Sequence, residues 1–374
     1  MTNKNNRFFG YFKFLDEVNA KILEAIGKYG ARNITTLAKA TNLPITTVRF
    51  RLKKMMKDGK VLVTVNPNVH NLGLAKAFLA ADVPFGRPDK LLSAIRNTDY
   101  WTYIIRCYGK FDGYCAYFAF PARYKEKLED YWNQAKRLGI LTSSKFFWIT
   151  NSHIVPPNFS WFNFKKREWN FRWEEWVKEI LNGPEKLPKL LEDPKEYPIV
   201  VDRRDLLIIK ELQKDESIEF KELAKIVGIT PQSVGTRYRK IIERNLIIDY
   251  AVDTYPFPFE VSDLYAFVVD FFDESSLAKF ANACEKKPFV VSYAKVIGKS
   301  SLILNIYILK REFPRFMDSF NRLNKEGIVK SIFYVTLDPT SYRRQTIAYK
   351  CFEDRVWLYD HEDKIKKLEE IASS

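Results

Sequence analysis

The sequence is poor in the residues from which metal sites, disulfide frameworks and most catalytic centres are built. Among 374 residues there are only three histidines and four cysteines. The cysteines lie at positions 107, 115, 284 and 351, a spacing that fits neither a zinc motif nor a disulfide pattern. No nucleophile motif or phosphate-binding glycine loop is present in the sequence either. We therefore expect no metal, no cofactor and no catalytic residues.

The sequence also lacks long apolar runs and is short of acidic residues. No stretch approaches the roughly 18 apolar residues of a membrane span, and the first residues lack the apolar core of a signal peptide. We therefore expect a cytoplasmic protein with no membrane partner. Aspartate and glutamate number 46 against 61 lysines and arginines, for a formal net charge of +15. Such an excess favours a polyanionic partner, and the length suggests more than one domain.

What the sequence does contain is an internal duplication. Leu37-Ala38-Lys39 recurs half a chain later as Leu223-Ala224-Lys225. Further matches follow at nearly the same offset: Gly139-Ile140 with Gly327-Ile328, 147–150 with 333–336, and Phe164, Arg167 and Trp169 with Phe352, Arg355 and Trp357. Because these matches extend over the whole chain, we interpret the protein as two copies of one unit.

Each copy begins with a pattern typical of a winged helix-turn-helix domain, which we place at 1–73 and 199–260. Two helices at apolar helical spacing are followed by a third, which begins after Pro44 or Thr230. Thr230 is a good N-cap, whereas proline has no side-chain oxygen to cap a helix. The third helices should end at Gly59 and Asn245, residue types that tolerate a left-handed C-cap. The β-branched runs at 61–65 and 247–252 then predict a wing hairpin in each copy.

The second part of each copy predicts a ferredoxin-like βαββαβ sandwich, at 74–151 and 261–338. The strands are placed at about 74–83, 101–108, 113–120 and 144–151 in copy one, and at about 264–272, 289–297, 302–309 and 329–337 in copy two. The predicted fold class is thus α+β, with two tandem repeats of a winged helix-turn-helix and a sandwich. Helices cover only one face of such a sheet, so the other face needs a partner.

Two segments lie outside these domains. Aromatic residues interleaved with cations mark 152–198, and a shorter counterpart lies in 339–374, which ends in a helix. Such a segment could stack on single-stranded bases, or it could be an arm that packs on a neighbouring sheet. Because the C-terminal counterpart has no further domain to link, we favour an arm or exchange element common to both copies. The proline-rich stretch 183–198 is then the interdomain linker.

Five short motifs follow one another in copy one: Leu37-Ala38, Val48-Arg49-Phe50-Arg51-Leu52, Gly59-Lys60-Val61-Leu62, Val65-Asn66-Pro67 and Leu72-Gly73. In these motifs and their order the chain resembles the Lrp/AsnC family of bacterial and archaeal transcription regulators. The resemblance covers 16–150 well and 202–336 more loosely. The resemblance implies a DNA-binding regulator whose units pair through their open sheet faces. With two units in one chain, we expect an intramolecular pseudo-dimer, and a further homodimer is compatible with it.

The resemblance also implies a small-molecule effector site at Gly109, Lys110 and Asp112, the turn between the middle strands. A tight hairpin needs glycine for backbone reasons alone. Copy two also has Ser301 where copy one has the aspartate. We therefore favour a structural turn over an effector site, with both interpretations open.

The third helix of each copy is the expected recognition helix. The N-terminal residues of such a helix meet base edges in the major groove, and its cations neutralise phosphates. The predicted DNA-binding residues are Thr46, Thr47, Arg49, Phe50, Arg51, Lys53 and Lys54 in copy one and Gln232, Ser233, Thr236, Arg237, Arg239 and Lys240 in copy two. Arg49 is suited to guanine and Gln232 to adenine. The cations at equivalent positions (51 and 237, 54 and 240) hold either phosphates or acidic neighbours.

The sequence therefore predicts a sequence-specific, nucleoid-associated regulator that binds double-stranded DNA. Because the two recognition sets differ, we predict a non-palindromic site with unlike half-sites. One alternative is an architectural chromatin protein with little sequence preference. The other is a ligand-binding or enzymatic relative that does not bind DNA, because the siroheme decarboxylases resemble the same plan. Their chemistry would draw on a histidine, tyrosine and arginine group, and in the sequence His153 stands alone after the fourth strand.

Overall fold

The protein is described by a computed structural model over residues 15–58, 61–254 and 257–374. The α+β fold with two tandem repeats is confirmed. Within these ranges, no helix combines the length and the apolarity that a membrane crossing needs. The predicted helix end at Gly59 lies outside the described residues. The predicted left-handed residue Asn245 is confirmed by its φ of 51°.

Copy one follows the predicted order of elements over its described residues. Its helix-turn-helix consists of α1 (Glu17–Tyr29), α2 (Ile34–Thr41), α3 (Ile45–Lys57) and the strand β1 (Leu62–Pro67). Its sandwich consists of β2 (Leu74–Asp82), α4 (Pro88–Asn97), β3 (Trp101–Gly109), β4 (Gly113–Pro121), α5 (Lys125–Arg137) and β5 (Ser143–Ile149). The arm that follows contains β6 (His153–Ile154), β7 (Phe162–Asn163), β8 (Glu168–Trp169) and α6 (Trp173–Leu181).

Copy two repeats this order. Its helix-turn-helix consists of α7 (Arg203–Leu212), α8 (Phe220–Val227), α9 (Pro231–Glu243) and β9 (Ile247–Asp253). Its sandwich consists of β10 (Ser262–Phe271), α10 (Glu274–Cys284), β11 (Val290–Lys295), β12 (Ser301–Leu309), α11 (Phe313–Lys325) and β13 (Val329–Leu337). The second arm contains β14 (Arg343–Arg344), β15 (Phe352–Glu353), β16 (Val356–Trp357) and α12 (His361–Ser373).

The two helix-turn-helix domains begin in the same way. Asp16 caps α1 by accepting a hydrogen bond from the Asn19 amide at 2.7 Å, and Asp202 caps α7 by accepting from the Asp205 amide at 2.8 Å. An aspartate at the N-cap satisfies an amide that has no partner within the helix and complements the helix dipole. The apolar face of each first helix is buried, with Ile22 in α1 and Ile208 in α7 inaccessible to solvent.

The prediction of a wing hairpin in each copy is wrong. Each β-branched run forms one strand, and over the described residues β1 and β9 pair with each other in antiparallel register, with Thr64 opposite Ala251. Val63 and Val65 of β1 are buried in this arrangement. The sequence pattern reports that a strand forms, but it does not report which strand lies beside it, because the partner is far away in the chain. The two helix-turn-helix domains are therefore joined by a shared two-stranded sheet.

The two sandwiches face each other across their open sheet faces. The strand order is β5-β2-β4-β3 in copy one and β13-β10-β12-β11 in copy two. β3 pairs with β13 at one edge, and at the other edge a bridge joins Ile149 to Val296. The core between the sheets contains Phe78, Ile105, Cys107, Phe111, Ile149, Val268, Val296, Ile303 and Val335. The two copies thus pack within one chain as a dimer of such units would.

The arms are exchanged between the copies. Helix α6 of the first arm packs on α10 and α11 of the second sandwich, and α12 of the second arm packs on α4 and α5 of the first. Trp176 of α6 is completely buried, with its ring 5.2 Å from that of Phe289. Aromatic residues packed in this way are not exposed to stack on bases. The described contacts therefore favour the arm interpretation of these segments.

Candidate nucleic-acid interface

The recognition helix α3 has one buried and one exposed face. Val48, Leu52 and Met55 are buried against the other helices. The predicted contact residues Thr46, Arg49, Phe50, Lys53 and Lys54 are exposed, and Thr47 is half-buried. The Phe50 side chain is 66% exposed.

The recognition helix α9 also has one buried and one exposed face. Val234 and Ile241 are buried. The predicted contact residues Gln232, Ser233, Thr236, Arg239 and Lys240 are all exposed. Helix α9 begins as its sequence predicts, because the Thr230 hydroxyl accepts a hydrogen bond from the Ser233 amide at 3.2 Å. Helix α3 begins after Pro44 without a side-chain cap.

The equivalent arginines Arg51 and Arg237 hold acidic neighbours. Arg51 Nη1 lies 2.6 Å from Asp16 Oδ2, and Arg237 Nη1 lies 2.8 Å from Asp202 Oδ2. Arg237 also donates to Asp205 at 2.6 Å. These pairs raise the pKa of the Arg237 guanidinium and lower the pKa of Asp202, although burial opposes both shifts. Each arginine thus ties its recognition helix to the cap of the first helix, and Lys54 and Lys240 stay exposed.

A buried polar contact between the two helix-turn-helix domains was not predicted from the sequence. The Glu216 side chain is completely buried, and its Oε2 accepts from the Ala31 amide at 3.0 Å. Arg32 Nε lies 3.5 Å from Glu216 Oε1, and the Arg32 guanidinium also donates to the Glu216 carbonyl. Burial raises the pKa of Glu216 to about 7, although the Arg32 charge opposes the rise. Together with the β1–β9 sheet, this contact fixes the two recognition helices relative to each other.

The predicted effector residues form a turn. Gly109 has a φ of 104°, a conformation that favours glycine. Asp112 Oδ1 accepts from Arg106 Nη2 at 2.6 Å, and the Asp112 amide donates to Asp82 at 2.9 Å. Lys110 is exposed beside them. These contacts account for the turn without a ligand.

His153 connects the first arm to copy two. Its Nδ1 lies 3.1 Å from Asp249 Oδ1, and its ring packs edge-on against Tyr293 at 5.2 Å. Asp249 also accepts from the Ile154 amide at 3.1 Å. The described residues contain no group of three or more histidine, cysteine, aspartate or glutamate side chains placed to hold a metal ion. His153 therefore contributes to the packing between the copies.

Both helix-turn-helix segments match known DNA-binding families. Residues 15–61 match a winged helix-turn-helix DNA-binding domain, and residues 201–241 match the AsnC-type helix-turn-helix domain. Uncharacterized HTH-type transcriptional regulators of Pyrococcus horikoshii and Pyrococcus abyssi are each 35% identical to this chain over 63 residues. These matches cover 17% of this chain and 42% of each relative, so the chain spans less than half the length of the curated relatives it matches. The AsnC-type match thus lies in copy two, and copy one matches a winged helix-turn-helix domain.

The whole fold is shared with a solved protein of low sequence identity. The siroheme decarboxylase NirDL superposes on 96% of this chain and 98% of its own, with a TM-score of 0.51 and 14% identity. Its co-complex with an iron-uroporphyrin III analogue superposes with a TM-score of 0.52 and 13% identity, over 93% of this chain and 97% of its own. The order of domains along this chain is therefore that of a known fold over nearly its entire length.

Proposed function

We propose that this protein is a sequence-specific transcription regulator that binds double-stranded DNA. The observation that carries this proposal is the pair of recognition helices. Each exposes polar and basic side chains on the face opposite its buried one, and the β1–β9 sheet joins the two helix-turn-helix domains. The formal net charge of +15 and the regulator relatives support the same role. The proposed role is regulatory rather than enzymatic, in a cytoplasmic, nucleoid-associated protein.

We further propose that the two helices recognise unlike half-sites. In α3 the exposed set contains Arg49 and Phe50, whereas in α9 it contains Gln232 and Ser233. Arginine recognises guanine through two hydrogen bonds and glutamine recognises adenine in the same way, while an aromatic ring contacts the thymine methyl group. A single chain with two different recognition helices would thus bind a non-palindromic operator.

Selection of bound duplexes from a random pool, at roughly physiological salt, tests this function, because nonspecific phosphate binding is already weak there. We expect enrichment of one motif with two unlike half-sites. Binding without enrichment would instead indicate the architectural role. If the protein retained no duplex from the pool, the regulator proposal would be abandoned.

A second candidate function is binding of a tetrapyrrole, and the fold shared with NirDL over nearly the whole chain favours it. The protein would then be a relative of the siroheme decarboxylases that uses its sandwiches for a ligand. Titration of the purified protein with an iron-uroporphyrin, followed by visible absorbance, tests this candidate. A saturable shift of the absorbance band would support it, and a spectrum equal to that of the free porphyrin would exclude it.

A further inference from the structure

An open groove lies beside the recognition helix α9. Its volume is about 690 Å³, and α9 lines one side of it with Gln232, Ser233, Thr236 and Lys240. The other side is formed by Arg244, by residues 199–202 before α7, and by Arg355 of the second arm. The arm therefore extends the surface that the recognition helix presents.

The groove carries an excess of positive charge. Four cations line it, Arg237, Lys240, Arg244 and Arg355, against the two carboxylates Asp202 and Asp205. Both carboxylates are already bound by Arg237, and Arg244 donates to the Val200 carbonyl at 3.2 Å. Within the described part of the chain, Lys240 and Arg355 have no carboxylate within ion-pair distance. A groove of this charge beside a recognition helix fits a backbone phosphate of DNA.

Arg355 has a positive φ, a backbone conformation that is unfavourable for a residue with a side chain. It lies at the tip of the β15–β16 hairpin, where Asp354 has a φ of 45° and Arg355 a φ of 60°. Tight hairpins of this kind favour asparagine or glycine, because an L side chain is strained at positive φ. The equivalent Arg167 of copy one has a φ of 56° but lies in the longer turn 164–167, directly before β8. The strained backbone at Arg355 points to a function for its side chain.

The hairpin that carries Arg355 is firmly anchored. Trp357 is buried, and its indole N–H donates to the Leu72 carbonyl at 2.6 Å. The Phe352 carbonyl accepts from Arg203 Nη1 of α7 at 2.8 Å. The second hairpin is thus held both by α7 of its own copy and by residue 72 of copy one, which presents Arg355 at low entropic cost.

We propose that the hairpin of the second arm is a phosphate-binding element that flanks the recognition helix α9. Arg355, together with Lys240, binds a DNA backbone phosphate beside the half-site recognised by α9. This inference rests on the proposed DNA-binding function. The tip of this hairpin also exposes Glu353 and Asp354. The positive charge at the site therefore comes from Arg355 together with the cations of the groove.

Replacement of Arg355 by glycine tests the proposal, because glycine suits positive φ and should not destabilise the hairpin. The probe is a labelled random-sequence duplex of about 40 base pairs, titrated from roughly 50 to 200 mM salt. We expect Arg355→Gly to bind about five-fold more weakly at roughly 0.15 M salt and to lower the salt slope by about one. Arg355→Lys, which keeps the charge, should restore most of the binding.

The control is Lys330→Ala, which removes one exposed charge from β13 at the end of the sheet where Asp270 pairs with Ser331. Its salt slope should equal that of the wild type. Duplex binding by the wild type with an unchanged slope for Arg355→Gly would overturn the phosphate role and leave the DNA-binding function intact. A fall in melting temperature that accompanies the loss of binding would also overturn it, in favour of a structural role. Failure of the wild type to bind any duplex would reject the DNA-binding function itself.

Discussion

Two arginines of α3 that lie two positions apart have different surroundings. Arg49 is exposed on the recognition face, whereas Arg51 is half-buried in its ion pair with Asp16. Helical geometry alone places them on different sides of the helix. The structure thus distinguishes a residue that is free to meet a base from one that supports the helix.

We expect Arg49→Ala to weaken binding to the selected operator by about 1–3 kcal/mol and to relax the preference at one half-site. The melting temperature should stay unchanged, because the side chain is exposed. Arg51→Ala should instead lower the free energy of unfolding by at most about 1 kcal/mol, since its ion pair is more than a third exposed. Binding assays and denaturant unfolding measure the two effects. Identical behaviour of the two variants would contradict this division of roles.

The buried Glu216 carboxyl leads to a prediction about how the stability of the protein depends on pH. Its pKa is raised from 4.5 to about 7 in the folded protein, mainly by burial. The folded state therefore binds a proton more tightly than the unfolded state, and the stability from this group is present below about pH 4.5 and is lost as the pH rises through 7. Relative to Glu216→Gln, the free energy of unfolding of the wild type should fall by up to about 3 kcal/mol between these pH values.

Denaturant unfolding of both proteins at several pH values measures this difference. The glutamine variant keeps an acceptor for the Ala31 amide but has no carboxyl group that titrates. It therefore serves as the structural control for the wild type. Parallel stability curves for the two proteins would show that Glu216 does not titrate in this range.

At the scale of elements, the residue before each recognition helix decides whether the N-terminus of that helix is capped. The Thr230 hydroxyl caps α9, as the sequence predicts, and α3 has no cap because Pro44 has no side-chain oxygen. These outcomes depend on residues within one turn of each other, so the sequence pattern is sufficient to predict them.

Thr230→Ala should lower the free energy of unfolding by about 1 kcal/mol, because the Ser233 amide loses its acceptor. Thr230→Ser, which keeps the hydroxyl, should retain most of the stability. Thermal or denaturant unfolding of the three proteins makes the comparison. If alanine and serine had the same effect, the hydroxyl would have no capping role.

At the scale of the whole molecule, the two halves are joined by more than the linker. The β1–β9 and β3–β13 pairings, the core between the sheets and the exchanged arms all cross from one copy to the other. These contacts lie between residues that are about half a chain apart. The two copies are therefore packed against each other through several separate contacts within one chain.

A protease site inserted between Glu185 and Lys186, which are both exposed, tests this arrangement. After cleavage, we expect the two fragments to elute together in native buffer and to separate only in denaturant. Size-exclusion chromatography with mass spectrometry of the peak identifies them. Separation of the fragments in native buffer would show that the contacts between the copies do not hold them together.

The duplication, the α+β class, the order of helices and strands and the exposed faces of the recognition helices could all be predicted from the sequence. These properties depend on local periodicity, turn residues and caps, which act over a few positions. The pairing of β1 with β9, the burial of Glu216 against the loop at Ala31 and the position of Arg355 beside α9 became known from the folded structure. Such contacts join residues that are distant in the chain, and a short-range pattern does not specify which partner each will meet.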